Sequence, residues 1–300
     1  MTPRAAIRAM MAGRQIRNGL FDSFPGHSYP GHAPMSDINS RFEAAVRWAR
    51  EAGQRTLRYF QSAHLQVERK SDQSPVTIAD RDAESFLRER IAADFPDDAI
   101  VGEEFSDRAG SSSFRWILDP IDGTKSFIHG VPLYGTLIGV EQDDESRIGV
   151  IEIPALDERV YACAGGGAWH QRAARDPEPA NVSSVARLDE SLLVTSEVQT
   201  FTTRGAANVF TQLDQRVRLA RTWGDCYGYL LVATGRAEVM IDPLLNVWDA
   251  AAVLPVIEEA GGRFTDWRGV RSVRSGDGFG SNGRLHDSVL AVTRAEPPPE

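Results

Sequence analysis

The chain has 300 residues, 42% hydrophobic and 25% charged, enough to build one large core or two packed closely together without staples. A net charge of −9 and a pI near 5.3 leave no basic footprint for nucleic acid or an anionic membrane, and no run of about 18 apolar residues is present to span a bilayer. Cys163 and Cys226, the two cysteines, stand far apart with no CxxC or Cys/His cluster, which excludes a disulfide framework and a zinc site and fits a reducing cytoplasm.

Residues 1–35 are Arg-rich and acid-poor, with no apolar h-region of secretory type, and read as a disordered N-terminal extension. Met35 opens SDINSRFEAAVRWA, so the fold is expected to begin at about Ser36, with Ser36 as N-cap. Apolar residues at Ile38, Phe42, Ala45, Val46, Ala49, Leu57 and Phe60 then recur at helical spacing. LQVERK alternates like a strand, SDQSP is a loop, and a second helix is predicted from Thr77 to Phe95, stopped by Pro96. AIVGEE, RWILD, GTLIGVE, RIGVIEIP and RVYACAG read as short strands, a sheet with helices to one side. Gly165 to Gly167 are expected to form a hairpin turn and Arg172 to Ser184 a linker.

The second half alternates in an α/β rhythm: SLLVTS as strand, a polar helix through Gln212, VRLAR as strand, a helix from Asp225 to Thr234, EVMID as strand, then WDAAAVLPVIEEAGG. Pro255 should kink that last helix, unless the helix restarts there. The organisation expected is an extension over 1–35, an α+β subdomain over 36–183 carrying a metal site, and an α/β subdomain over 184–295 carrying specificity elements. GFGSNG, from Gly278, fits GxGxxG formally, but no apolar strand precedes it, and it reads as a loop. His64, His170 and His286 lie in polar, exposed contexts; His129 stands close to the acidic motif, with a structural role the simpler reading. The Trp residues are more often core than cage, and Trp248 is expected to pack its helix against the sheet.

Acids end apolar elements at four separated places: Asp80 in a first helical turn, Glu103 and Glu104 after AIVG, Asp119 and Asp122 after WIL, and Asp249 opening a helix. WILDPIDGT, taken alone, is a turn, because Asp-Pro and Asp-Gly are both strong turn formers. If the four groups converge, unpaired carboxylates would repel severely unless divalent cations neutralise them, and hard oxygen ligands select Mg²⁺, with Mn²⁺ as a substitute. Asp-x-x-Asp lets Asp119 bridge two ions while Asp122 serves one, with the Ile121 carbonyl turned inward and Pro120 holding the turn. The backbone N–H groups of Gly123 and Thr124 would face a phosphate. The Thr124 hydroxyl lies in reach of an attacking water whose proton Asp80 could accept, and only one of Glu103 and Glu104 can point at the same ion from an extended strand. The two-residue gap in Asp-x-x-Asp argues against an aspartyl-phosphate mechanism, which uses Asp-x-Asp.

Taken together and in this order, KSDQSPVTIAD, GEE, WILDPIDGT and WDAAAVLPVIEEAGG resemble the inositol monophosphatase superfamily across residues 40–290. The resemblance implies an α/β (α+β) fold, a layered αβαβα sandwich, paired as a homodimer, that binds two or three Mg²⁺ ions and hydrolyses a small-molecule phosphate monoester. By that likeness Glu103, Asp119 and the Ile121 carbonyl hold one metal and Asp119, Asp122 and Asp249 the second. Asp80 and Thr124 then orient or deprotonate the water, with Lys70 and Glu104 nearby. RTWGDCYGYLLVATGRAEVMIDP resembles the histidinol-phosphate phosphatase branch, which implies hydrolysis of L-histidinol phosphate in histidine biosynthesis. Asp225 and Asp242 would form an acidic lip for its ammonium and imidazole. Asp225 is equally suited to cap the helix that follows it. An inositol-1-phosphatase, another sugar or polyol phosphatase, and a partner in a transcription complex are the alternatives.

Overall fold

The computed structural model describes residues 35–62, 67–69 and 75–294. From Ile38 on the described chain forms one unit. Helix α1 (Met35–Thr56) buries Phe42, Ala45 and Ala49 of the stripe its sequence spacing predicts, with Ile38 and Val46 partly buried, and adds Trp48 and Ala52 to it. It ends before Leu57, short of the expected Phe60. Phe60 instead folds back onto Phe127 and Tyr134, with ring centroids 5.7 Å and 5.1 Å away.

A two-stranded ribbon, β1 (Val67–Arg69) with β2 (Pro75–Thr77), leads into helix α2 (Ile78–Asp94). Thr77 caps α2: its hydroxyl accepts from the Ala79 N–H, and the Asp80 carboxylate reaches back to the Thr77 N–H. Ala83, Phe86, Leu87 and Ile91 of α2 join the α1 stripe over one face of a seven-stranded sheet.

That sheet runs β3 (Ala99–Gly102), β4 (Phe114–Asp122), β5 (Gly135–Gln142), β6 (Glu145–Ile153), β7 (Glu158–Cys163), β8 (Ala168–Arg172) and β9 (Glu178–Pro179) in spatial order; a short helix, α3 (Thr124–Ile128), follows β4. Only β3 and β4 are parallel. Part of the expected 172–184 linker is therefore edge strand, with Trp169 opposite Pro179. His170 is buried rather than exposed, because its Nε2 meets the Glu158 carboxylate at 2.7 Å.

The second half supplies β10 (Leu192–Val194), α4 (Val198–Thr203), α5 (Ala207–Asp214), β11 (Leu219–Arg221), α6 (Cys226–Ala233), β12 (Val239–Asp242), α7 (Val247–Ala250), α8 (Val253–Glu259), β13 (Arg263–Thr265), β14 (Gly278–Ser281) and α9 (His286–Thr293). Its five strands take the order β11, β10, β12, β14, β13, parallel across the first three and antiparallel after. Helices α6 and α8 lie between the two sheets, their Leu230, Val253 and Val256 in one cluster with Leu137 and Ile151 of the first sheet and Met240 of the second. The first sheet thus has helices on both faces, not one, and α4, α5 and α9 close the far side through Phe201, Leu213 and Val289. The layers are α, β, α, β, α.

Two glycines explain how the central layer sits so close. Gly139 and Gly149 are directly opposite on β5 and β6. A Cβ on Gly149 would stand 2.0 Å from the Ala252 carbonyl oxygen, and one on Gly139 2.8 Å from Ala251. The small Ala250–Ala252 run and the glycine pair bring helix and sheet backbones together. The expected single helix of WDAAAVLPVIEE is broken there into α7 and α8. Pro255 falls inside α8, where its lack of an N–H denies Ala251 a bond, while Ala251 and Ala252 keep right-handed helical dihedrals across the break.

GFGSNG is not a loop: Gly278–Ser281 is β14, inside the sheet between β12 and β13. Phe279 points to the outer cluster, while a Cβ on Gly280 would meet Ile257 and Tyr229, both at 3.2 Å. The strand has little apolar signal because α6 and α8 need its bare backbone. His286 is also buried, between the hydroxyls of Thr265 and Ser281, both at 2.9 Å. Among the described residues no helix is long and apolar enough to cross a membrane.

Candidate active site

The end of β4 sets the geometry. The ladder with β5 slips between Asp119 and Asp122, so Pro120 and Ile121 bulge out of register, and Thr136 holds the bulge by donating to the Pro120 carbonyl at 2.8 Å. Asp119 Oδ1 accepts the Ile121 N–H at 3.0 Å, and the Thr124 hydroxyl donates to the Ile121 carbonyl at 3.1 Å. The apolar half of β4 fixes the strand in the core, and the bulge delivers Asp119 and Asp122 to its edge.

Asp249 arrives from the first turn of α7. Its Oδ2 accepts the Asn246 N–H at 2.8 Å in a second capping box. Ligand oxygens of Asp119, Asp122 and Asp249 lie within 4.8 Å of one another. Burial, then the charges of Glu103, Asp122 and Asp249, hold Asp119 well above the usual carboxylate range. Burial, then Asp225 and Asp249, does the same to Asp122, and burial pushes Asp249 up to about 7. With Asp119 buried and Asp122 and Asp249 half-buried, this all-oxygen, mutually repelling set fits a hard divalent cation.

The Glu103 carboxylate acts on Asp80, Asp119 and Asp249 alike. Burial pushes Asp80 up to about 6 against the bonds it accepts on Oδ2 from the Thr77 N–H at 2.9 Å and hydroxyl at 2.6 Å. Glu104 is held by its backbone, its N–H donating to Glu84 Oε2 at 2.9 Å, while Arg88 grips the other oxygen of Glu84 at 2.7 Å. Sequence reasoning missed Glu84, a fully buried acid. Its one signal was an Arg four residues on, a spacing also common on exposed helix faces. Lys70 lies outside the described residues.

Asp225 sits at the N-cap position of α6, yet its side chain makes no capping bond. Asp122 takes the Cys226 N–H instead. The capping alternative for Asp225 is set aside on that geometry. Its backbone is strained at φ +50°, and its Oδ2 lies 2.8 Å from where a Cβ on Gly123 would stand. Gly123, at φ +84°, is required on both counts. Burial pushes Asp225 up to about 6.

Asp242, expected at the pocket lip, is instead buried, with Ser196 donating to one oxygen at 2.6 Å and Tyr229 to the other at 2.9 Å. Ser196 in turn accepts the Asp225 N–H at 3.0 Å, so Asp242 steadies Asp225 from behind. At the rim, Lys125 of α3 pairs with Glu197 at 2.5 Å, a contact across 72 positions that no local pattern signals. Trp223 is 40% exposed, unlike the core tryptophans Trp48, Trp116 and Trp267. Trp248 is part-buried, and His129 is exposed against the Lys125 carbonyl.

Comparison with known proteins gives a profile match to the inositol monophosphatase family over residues 37–297. The histidinol-phosphatase of Chlorobaculum parvum is 45% identical over 251 residues, covering 83% of this chain and 95% of that one. The histidinol-phosphatase of Mycobacterium tuberculosis is 38% identical over 251 residues, 84% of this chain and 96% of that one. Among solved structures, the extragenic suppressor protein suhB of Bartonella henselae superposes with a TM-score of 0.78 at 26% identity, covering 86% of this chain and all (100%) of that one.

Proposed function

The chain belongs to the inositol monophosphatase family, on its histidinol-phosphatase branch, and is a phosphoric monoester hydrolase; from that premise we propose that it hydrolyses L-histidinol phosphate to L-histidinol and phosphate for histidine biosynthesis, as a Mg²⁺-dependent cytoplasmic homodimer. Glu103, Asp119 and the Ile121 carbonyl would hold one ion and Asp119, Asp122 and Asp249 another, with Mn²⁺ able to substitute. Bound Mg²⁺ supplies charge neutralisation at the ester phosphate and lowers the pKa of a water.

The chain's own groups do the rest. The N–H groups of Gly123 and Thr124 face the phosphate. Asp80, pushed up to about 6 and pinned through Oδ2, takes the proton of the attacking water as its oxygen bonds to phosphorus and the ester P–O bond opens. Thr124, seated on the Ile121 carbonyl, orients that water. Glu84 and Arg88 hold the Glu103–Glu104 turn in place.

The observation that carries the substrate reading is Asp225. Its carboxylate packs against Gly123, so an acid stands beside the phosphate segment, where a cationic alcohol gains an ion pair and a neutral polyol gains none. Phosphate release from L-histidinol phosphate and from inositol 1-phosphate, at equal concentration with Mg²⁺, tests it. Faster turnover of the inositol ester would sink the assignment.

A further inference from the structure

Lys125 directly follows Thr124 on α3, and its Nζ lies 2.5 Å from Glu197 Oε2, on the residue that precedes α4. The two side chains are 69% and 42% exposed and belong to opposite halves of the chain. The charges of both reach Asp225, Lys125 attracting and Glu197 repelling. The pair is tethered beside the part of the site where Asp225 meets Gly123, Lys125 two residues after Gly123 and Glu197 next to Ser196, which accepts the Asp225 N–H.

The two partners are mounted differently. Ser196, next to Glu197, donates to Asp242 at 2.6 Å and accepts from the Asp225 N–H at 3.0 Å. Gly224 lies so close that a Cβ would stand 2.1 Å from the Ser196 Cα. Glu197 thus rises from a pinned corner, whereas Lys125 carries its charge on a long rotatable stem. Exposed pairs of this kind contribute little, so one is readily given up when both ends find new partners.

A cationic phosphate ester, the substrate class read above and on which this step rests, brings those partners. We propose that the Lys125–Glu197 ion pair is a charge-exchange latch: the substrate's cationic group takes Glu197, and the released Lys125 ammonium turns to the ester phosphate beside Thr124. Glu197 is then a specificity-determining residue, since a neutral ester recruits Lys125 only by leaving Glu197 without a cation.

The test uses the full chain with Mg²⁺ and two esters that differ by one charge, 4-(aminomethyl)phenyl phosphate and 4-methylphenyl phosphate. The readout is the ratio of the neutral ester's KM to the ammonium ester's. The wild-type ratio is expected at about 5. Glu197→Gln should lower it to the smaller preference that Asp225 alone supplies. Lys125→Met should raise the KM of both esters by a similar factor and leave the ratio near its wild-type value, because both phosphates lose their lysine while Glu197 still meets the ammonium. A wild-type ratio near 1, a ratio unmoved by Glu197→Gln, or an ammonium-ester KM unmoved by Lys125→Met overturns the latch. Thermal unfolding of each variant separates these outcomes from misfolding. The substrate reading is decided apart, by histidinol phosphate against inositol 1-phosphate, so either can fail while the other stands.

Discussion

Asp122→Asn is expected to make the metal-free protein more stable while removing its activity. The wild-type carboxylate has two tasks. It accepts the Cys226 N–H at the start of α6, and it stands within 4.8 Å of its neighbours Asp119 and Asp249. Asparagine keeps an acceptor oxygen for the first and deletes the charge required for the second. Two ionised carboxylates at that separation repel by about 3.5 kcal/mol at an effective dielectric near 20. The neighbours relieve part of this by taking up protons, which leaves roughly 1–2 kcal/mol to be recovered on neutralisation. In a domain of this size that raises Tm by about 2–8 °C in chelator. Added Mg²⁺ should then raise the wild-type Tm by mass action and the variant's much less, while phosphate release falls by about 100-fold or more. Asp122→Ala loses the helix cap as well and should lie about 1 kcal/mol below the Asn variant. Thermal unfolding in chelator and in Mg²⁺, with a phosphate-release assay, measures all three. An Asn variant no more stable than wild type in chelator, or one that retains turnover, would refute the reasoning.

Gly102→Ala tests how the Glu103 turn is held. A Cβ there would stand 2.1 Å from Glu84 Oε1 and 2.8 Å from Arg88 Nη2, prising apart a buried ion pair at a cost of about 3 kcal/mol, measured by urea unfolding, with a weaker Mg²⁺-induced Tm rise as the second readout. A loss under about 0.5 kcal/mol would show that the turn does not depend on Glu84. His286 gives a pH dependence. Burial holds it down at about 4, so the unfolded chain binds its proton first. The neutral imidazole's contribution is complete above about pH 6.5 and is lost as pH falls from there towards 4, by up to roughly 3 kcal/mol. Urea midpoints between pH 4.5 and 7 should fall less steeply for His286→Phe than for wild type; parallel slopes would remove His286 from the account.

The parts of the fold that could be read from sequence are those whose cause is local. The α1 stripe, the apolar run of β4 and the acids at element ends are all visible within a few residues of themselves. Asp80 and Asp249 even stand three residues after Thr77 and Asn246, the spacing of a capping box. The rest depends on partners far along the chain. β14 has two glycines in its four residues because of helices that precede it, and a scan for apolar alternation passes over it. His170 and His286 look exposed until Glu158, Thr265 and Ser281 are folded against them. Glu197 gains its meaning from a lysine 72 positions earlier, and Asp242 loses its place at the lip to a tyrosine and a serine.

The acids of the site share one local arrangement that bears on how such a cluster can exist in the folded chain. Each of four carboxylates accepts a backbone N–H: Asp80 from Thr77 at 2.9 Å, Asp119 from Ile121 at 3.0 Å, Asp122 from Cys226, and Asp249 from Asn246 at 2.8 Å. A hydrogen bond to a charged acceptor contributes about 1.5–3 kcal/mol, whereas burying an unpaired carboxylate costs several. These bonds, joined at Asp80 by the Thr77 hydroxyl at 2.6 Å and at Asp249 by the Asn246 amide at 3.3 Å, orient each group without settling its charge. The direction of the shifts agrees, since all four acids stay above the ordinary carboxylate range, Asp80, Asp122 and Asp249 despite bonds that lower them. The fold thus holds the oxygens in fixed directions and leaves the balance for a divalent ion to close, so rigidity at the site is obtained from caps and turns and affinity from the charge they do not cancel.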